Sequence, residues 1–141
     1  MILSNLPILV QRKMSKKVSI NNFASEITKI TREYLDEVEE GANKAVMETA
    51  FDARDDLKVA GDFKNKTGRY RKGWTITFDQ SRFALTAIVH DVAYQLTHLL
   101  ENGHQLVRGG RVIGEVQAFP HIEEVNNEAQ RMLEERIEKA I

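Results

Sequence analysis

A helical period that runs unbroken from Ile20 to Leu57 sets the first limit on this fold. Ile20, Phe23, Ile27, Ile30, Tyr34, Val38, Ala42, Ala45, Thr49, Ala53 and Leu57 recur at steps of three and four, which places them on one face of an α-helix. Ser19 or Asn22 can cap its start, because their side chains accept bonds from the free amides of the first turn. Such a helix is roughly 60 Å long at 1.5 Å per residue. A compact domain of 141 residues has a radius of gyration of about 14 Å. The helix therefore either breaks, with Gly41 the natural point, or overhangs its own domain and offers an amphipathic face to a partner.

Beyond it the pattern changes. Residues 61–73 read as a glycine-punctuated basic loop. Trp74, Ile76 and Phe78 then alternate with threonines, and Phe83, Leu85, Ala87 and Val89 alternate again after Asp79–Arg82, which predicts an antiparallel hairpin. Asp91 can cap a short helix over residues 92–102 that ends at Gly103. Residues 104–110 read as a second loop, and Val112–Ala118 as a third strand weakened by Gly114. Pro120 opens a last helix, where its missing amide costs nothing, with Val125, Ala129, Leu133 and Ile137 on one face. The expected class is α+β: a long N-terminal helix, a small antiparallel sheet of three or four strands, a short central helix, and a C-terminal helix packed on the sheet. Residues 14–141 form one such domain, and residues 1–13 read as an extension ahead of a second start at Met14. Trp74, Phe78, Leu85, Leu96, Leu99 and Leu133 are the expected core.

Charge narrows the function. The chain carries 20 basic and 21 acidic residues, so no global field draws it to nucleic acid or anionic lipid. The distribution is uneven. Residues 19–60 hold ten acids and five bases, whereas residues 63–72 hold five bases and no acid. Asymmetry of this kind suits docking against copies or charged neighbours. There is no cysteine, which excludes disulfides, thiolate metal sites and cysteine nucleophiles. No apolar run reaches the ~20 residues of a membrane span, and the opening segment lacks the order of charges and the cleavage site of a signal peptide.

The residues capable of chemistry form no constellation. His90, His98, His104 and His121 lack the tight pair that zinc sites usually contain. His98 and Glu101 share a helix face with His104 just beyond, but hydrogen bonds to backbone at a turn account for both histidines without metal. No cofactor motif is present. A small nuclease or toxin is the alternative reading, and it would act through His98 and His104 with Arg69 and Tyr70. Lys64, Lys66, Arg69, Arg71 and Lys72, with Tyr70 and Trp74 among them, suit phosphate and base contacts; with a neutral chain behind them, they fit better against the acidic face of a neighbouring subunit.

The segments together resemble a known family. In order these are the long acidic helix, Thr67-Gly68-Arg69-Tyr70-Arg71-Lys72-Gly73-Trp74, Tyr94 through Leu100-Glu101-Asn102-Gly103-His104, Gly109-Gly110-Arg111-Val112, and Pro120-His121-Ile122 before a final helix. From Lys17 to Ile141 the chain is similar to the tail-component family of long-tailed double-stranded DNA phages, proteins of head–tail joining, the neck and tail completion. It departs where that family often has a proline ahead of the Thr-Gly pair; here the stretch is Asp62-Phe63-Lys64-Asn65-Lys66. The resemblance implies a virion structural protein without catalytic residues, assembled in the bacterial cytoplasm into a homo-oligomeric ring. Its neighbours would be head-closure or connector proteins on one side and tail-terminator or tail-tube proteins on the other, with DNA passing only as cargo. Arg69, Tyr70, Arg71 and Lys72 against Glu33, Glu37 and Glu40 are the expected subunit contact.

Overall fold

The computed structural model describes residues 19–141 apart from 65, 66 and 83. The proposed extension at 1–13, the start at Met14, Lys66 of the basic loop and Phe83 of the second strand lie outside the described residues. After a 3-10 turn at Ile20–Asn22, helix α1 spans Phe23–Val59 and a single helical turn, α2, spans Arg69–Lys72. Strands β1 (Trp74–Gln80) and β2 (Leu85–Asp91) follow, then helix α3 (Tyr94–Asn102), strands β3 (His104–Arg108) and β4 (Arg111–Val116), and helix α4 (Ile122–Ala140). The fold is α+β, with two small antiparallel sheets of two strands each.

Helix α1 does not break. Gly41 sits inside it, and the reason for a glycine there is packing: a Cβ at position 41 would come within 2.8 Å of the Ala140 Cβ. Helix α4 thus runs antiparallel to α1 and ends against Gly41. Midway, the Arg136 guanidinium donates to the Thr49 hydroxyl at 2.9 Å and to the Asp52 carboxylate at 2.6 Å, which satisfies the one buried hydroxyl of that seam. Residues 23–40 continue past the end of α4, roughly 27 Å of helix at 1.5 Å per residue. Neither the Ser19 nor the Asn22 side chain caps α1; instead the Asn22 amide donates to the Ser19 carbonyl at 3.0 Å.

Strands β1 and β2 pair from Trp74↔Asp91 to Gln80↔Leu85 and lie across the C-terminal half of α1. The core is centred on Leu57, Tyr70 and Trp74, with Phe63, Val89, Ala93, Leu100, Ile122 and Val125 packed around it. The first turns of α4 thereby close over the Trp74 end of the sheet. Trp74 is core as expected, and Leu85 and Leu133 are half-buried. Phe78, Leu96 and Leu99 are not core; Leu96 is 45% and Leu99 39% exposed. Helix α3 rests on the domain through Thr97, Leu100 and Glu101, because its inward face serves a polar junction. Apolarity alone pointed to the opposite side of that helix.

The second difference concerns residues 104–110, expected as a loop. They form β3 and the turn of a second hairpin, so the four strands make two ribbons and no single sheet. Gly109 and Gly110 have φ of 58° and 77°, the two successive positive values of a type I′ hairpin turn. A bulge falls between Leu106 and Val107, with Leu106 opposite Gly114 and Ile113 as the extra residue. The Gly-Gly pair read as loop punctuation is a strand reversal.

Candidate functional site

The segments around Tyr70, Glu101 and His121 meet at the end of the molecule where α1 stops and α4 starts. Four side chains build the junction. Arg71, on the turn α2, sends Nη1 to the Ala60 carbonyl at 2.7 Å and the Lys58 carbonyl at 3.3 Å, and Nη2 to the Gly61 carbonyl at 2.7 Å. The Lys58 and Ala60 carbonyls lie at the end of α1 and the Gly61 carbonyl just past it, where no amide of a next helical turn exists to donate to them. The guanidinium also lies over the Phe63 ring, 4.4 Å from its centroid. A planar donor fork against the negative end of a helix is a cap that only arginine can make in this form.

Glu101 does the reverse at the other helix. From the last turn of α3 its carboxylate accepts from the amides of His121, Ile122 and Glu123 at 2.9 to 3.2 Å, capping α4 from outside its own segment. Burial acts to raise this carboxyl, but the three amides and the His121 ring outweigh it and hold Glu101 below the ordinary glutamate value.

Between the two caps lie Tyr70 and His121. The Tyr70 hydroxyl and His121 Nε2 are 2.8 Å apart. His121 Nδ1 lies 2.7 Å from the Phe119 carbonyl oxygen and 3.1 Å from the Glu101 carboxylate. A ring nitrogen facing a carbonyl must carry the proton, so Nδ1–H donates to Phe119 and Nε2 accepts the tyrosine hydroxyl. The His121 side chain is wholly buried. Burial, with Asp91 and Glu101 adding repulsion, pushes Tyr70 up to about 12. Beside it Asp91 Oδ1 accepts the Ala93 amide at 2.6 Å. Its buried Oδ2, like the Trp74 indole nitrogen, has no partner among the described residues, and burial raises the Asp91 carboxyl.

The expected contact residues are divided by this arrangement. Tyr70 is buried and Arg71 half-buried with its guanidinium engaged at the α1 terminus, so neither presents its polar group to a neighbour. Only Arg69 and Lys72 of that turn are exposed. On α1, Glu37 and Glu40 are exposed and Glu33 is half-buried; Glu33 and Glu37 are already engaged in contacts of their own. His98 is exposed on α3, while His104 opens β3 with a buried Nδ1 that has no partner among the described residues. Neither makes the backbone bond expected of it, and Glu101 turns to His121 and the α4 amides instead of joining them. Among the described residues, no three of His, Asp and Glu gather as a metal-holding group.

No family model, curated protein or solved structure matches this chain. Its surface therefore carries the functional reading. Sequence reasoning missed His121 as a member of the junction, although Pro120-His121-Ile122 was the signal that could have found it. It also missed the exposed apolar residues of the β3–β4 ribbon. Among the described residues, no helix is long and apolar enough to cross a membrane.

Proposed function

We propose that this chain is a structural subunit of a tailed phage particle, one copy in the ring that joins head to tail. The observation that carries the reading is where its distinctive residues are used. Tyr70, Arg71, Glu101 and His121, which belong to the segments that resemble tail-completion proteins, are all engaged in holding helix ends together. An active site needs an acid, base or nucleophile that a substrate can reach. Here the most polar cluster is sealed, and the groups left facing outward are an acidic helix and an apolar ribbon, the materials of subunit contact. A nuclease working through Tyr70 would need a hydroxyl that His121 already holds. Head-closure or connector proteins and tail-terminator or tail-tube proteins are the proposed neighbours, the virion is the proposed location, and DNA passes as cargo.

The experiment is an in-frame deletion in the phage or prophage that encodes the chain, followed by electron microscopy of the lysate. Filled heads and separate tails, rejoined when the gene is supplied in trans, are expected. Normal, fully joined and infectious particles from the deletion would sink the reading.

A further inference from the structure

The ribbon β3–β4 leaves the junction end of the molecule and packs mainly on itself; it makes no extended contact with α1 or α4. Val107 and Val112 stand opposite each other across its ladder. They are 61% and 57% exposed, and the bulged Ile113 beside them is 62% exposed. Beyond this pair the tip is Arg108-Gly109-Gly110-Arg111. Neither arginine makes an ion pair among the described residues. A two-stranded ribbon with a wet apolar end is marginal by itself, and two unpaired guanidiniums beside exposed valines are suited to a surface of opposite charge with apolar residues inside it.

The same chain carries that surface. On the side of α1 turned away from α4, an open depression is lined by Asp36, Glu39, Glu40, Asn43, Met47, Phe51 and the Lys44–Glu48 pair. Met47 and Phe51 are both exposed, and Phe51 meets Phe78 of β1 edge-on at 5.9 Å, so the apolar floor continues onto the sheet. Among the described residues Asp36, Glu39 and Glu40 have no ion-pair partner, and Glu48 has only an exposed one, Lys44 at 3.8 Å.

We infer that the β3–β4 ribbon of one copy docks on this acidic face of α1 in the next, with the Val107 and Val112 face covering Met47 and Phe51 while the long Arg108 and Arg111 side chains reach round the tip from the other face to Asp36, Glu39 and Glu40. The inference rests on the assembly reading and names its contact. The two surfaces are different parts of the chain, so the interface is head-to-tail; repeated with a rotation that closes, it generates a ring. It also replaces the contact expected at residues 69–72, where Arg71 is committed to the end of α1. Unpaired surface charges contribute little alone and more when an interface excludes water around them.

The test uses the absence of cysteine in the chain. Full-length Val112→Cys and Met47→Cys variants are mixed in equal amounts at high concentration and oxidised, and each disulfide-linked dimer is quantified on a non-reducing gel. The mixed dimer should exceed either homodimer, and should exceed a control pairing Val112→Cys with Glu134→Cys on the outer side of α4, by at least tenfold. Adding Arg108→Glu and Arg111→Glu to the Val112→Cys chain should abolish the excess. Glu39→Lys with Glu40→Lys in the other chain should restore it, a rescue that damage to the fold does not produce. A mixed dimer no more abundant than the control overturns the inference. Multimers in light scattering alongside that result would mean copies meet elsewhere, and the assembly reading is judged separately by the deletion phage.

Discussion

Tyr70 and His121, 51 residues apart in the chain, share a buried hydrogen bond of 2.8 Å that ties the turn after the long helix to the start of the last one. Removing the hydroxyl in Tyr70→Phe leaves Nε2 of a sealed imidazole without a donor, at an expected cost of about 1–3 kcal/mol. The same bond has a pH signature. Burial raises Tyr70 from 10.0 to about 12, so its contribution is complete below the unfolded value and declines as pH rises from 10 toward 12. Urea midpoints measured from pH 8 to 11 should show the wild type falling toward the Tyr70→Phe variant at the alkaline end. Parallel curves would show that the hydroxyl is not buried in solution.

Glu101 governs the acid side. Its folded value lies below the ordinary one, because three amides and His121 overcome the penalty of burial. The stabilisation is therefore present above the ordinary glutamate value and is lost as pH falls through the lower, folded value. Glu101→Gln keeps the shape but not the charge facing the start of α4, and at pH 7 should cost about 1.5–3 kcal/mol. The gap between variant and wild type should narrow as the pH drops below the ordinary glutamate value. A constant gap would mean that the carboxylate is not the cap.

Arg71 and Arg69 are neighbours of the same charge with different expected behaviour. Arg71→Lys loses the fork that reaches three carbonyls and should lower stability by about 1.5–3 kcal/mol. Arg69→Glu, at an exposed position, should stay within about 0.5 kcal/mol of wild type. Thermal unfolding of the two proteins checks both. Equal losses would make the cap at the end of α1 unimportant.

Gly41 reverses an ordinary rule. Glycine to alanine inside a helix usually stabilises by about 1 kcal/mol. Here the new Cβ would meet Ala140 at 2.8 Å, so Gly41→Ala should destabilise instead, by about 1–3 kcal/mol as overpacking does. Adding Ala140→Gly should recover most of the loss, and a double-mutant cycle measures the coupling. An additive cycle would show that α4 does not reach Gly41.

The sequence by itself determined the α+β class, the long helix, the first hairpin and the last helix, because hydrophobic period and turn residues are local properties that a chain displays without folding. Trp74 was legible as core for the same reason: it opens a clear alternation beside a glycine. Tertiary structure alone decided which side of α3 faces inward, since Leu96 and Leu99 are as apolar as Leu100, and the choice follows from Glu101 finding the α4 amides. It likewise decided that Gly41 is a contact with Ala140 and not a break, and that Gly109-Gly110 reverses a strand. The basic loop shows the limit most plainly. Arg69 and Arg71 are indistinguishable as letters, yet one faces water and the other caps a helix that ends at Val59. Whether a charge is free for a partner depends on which backbone groups other segments leave unsatisfied nearby, and that is known only once those segments have come together.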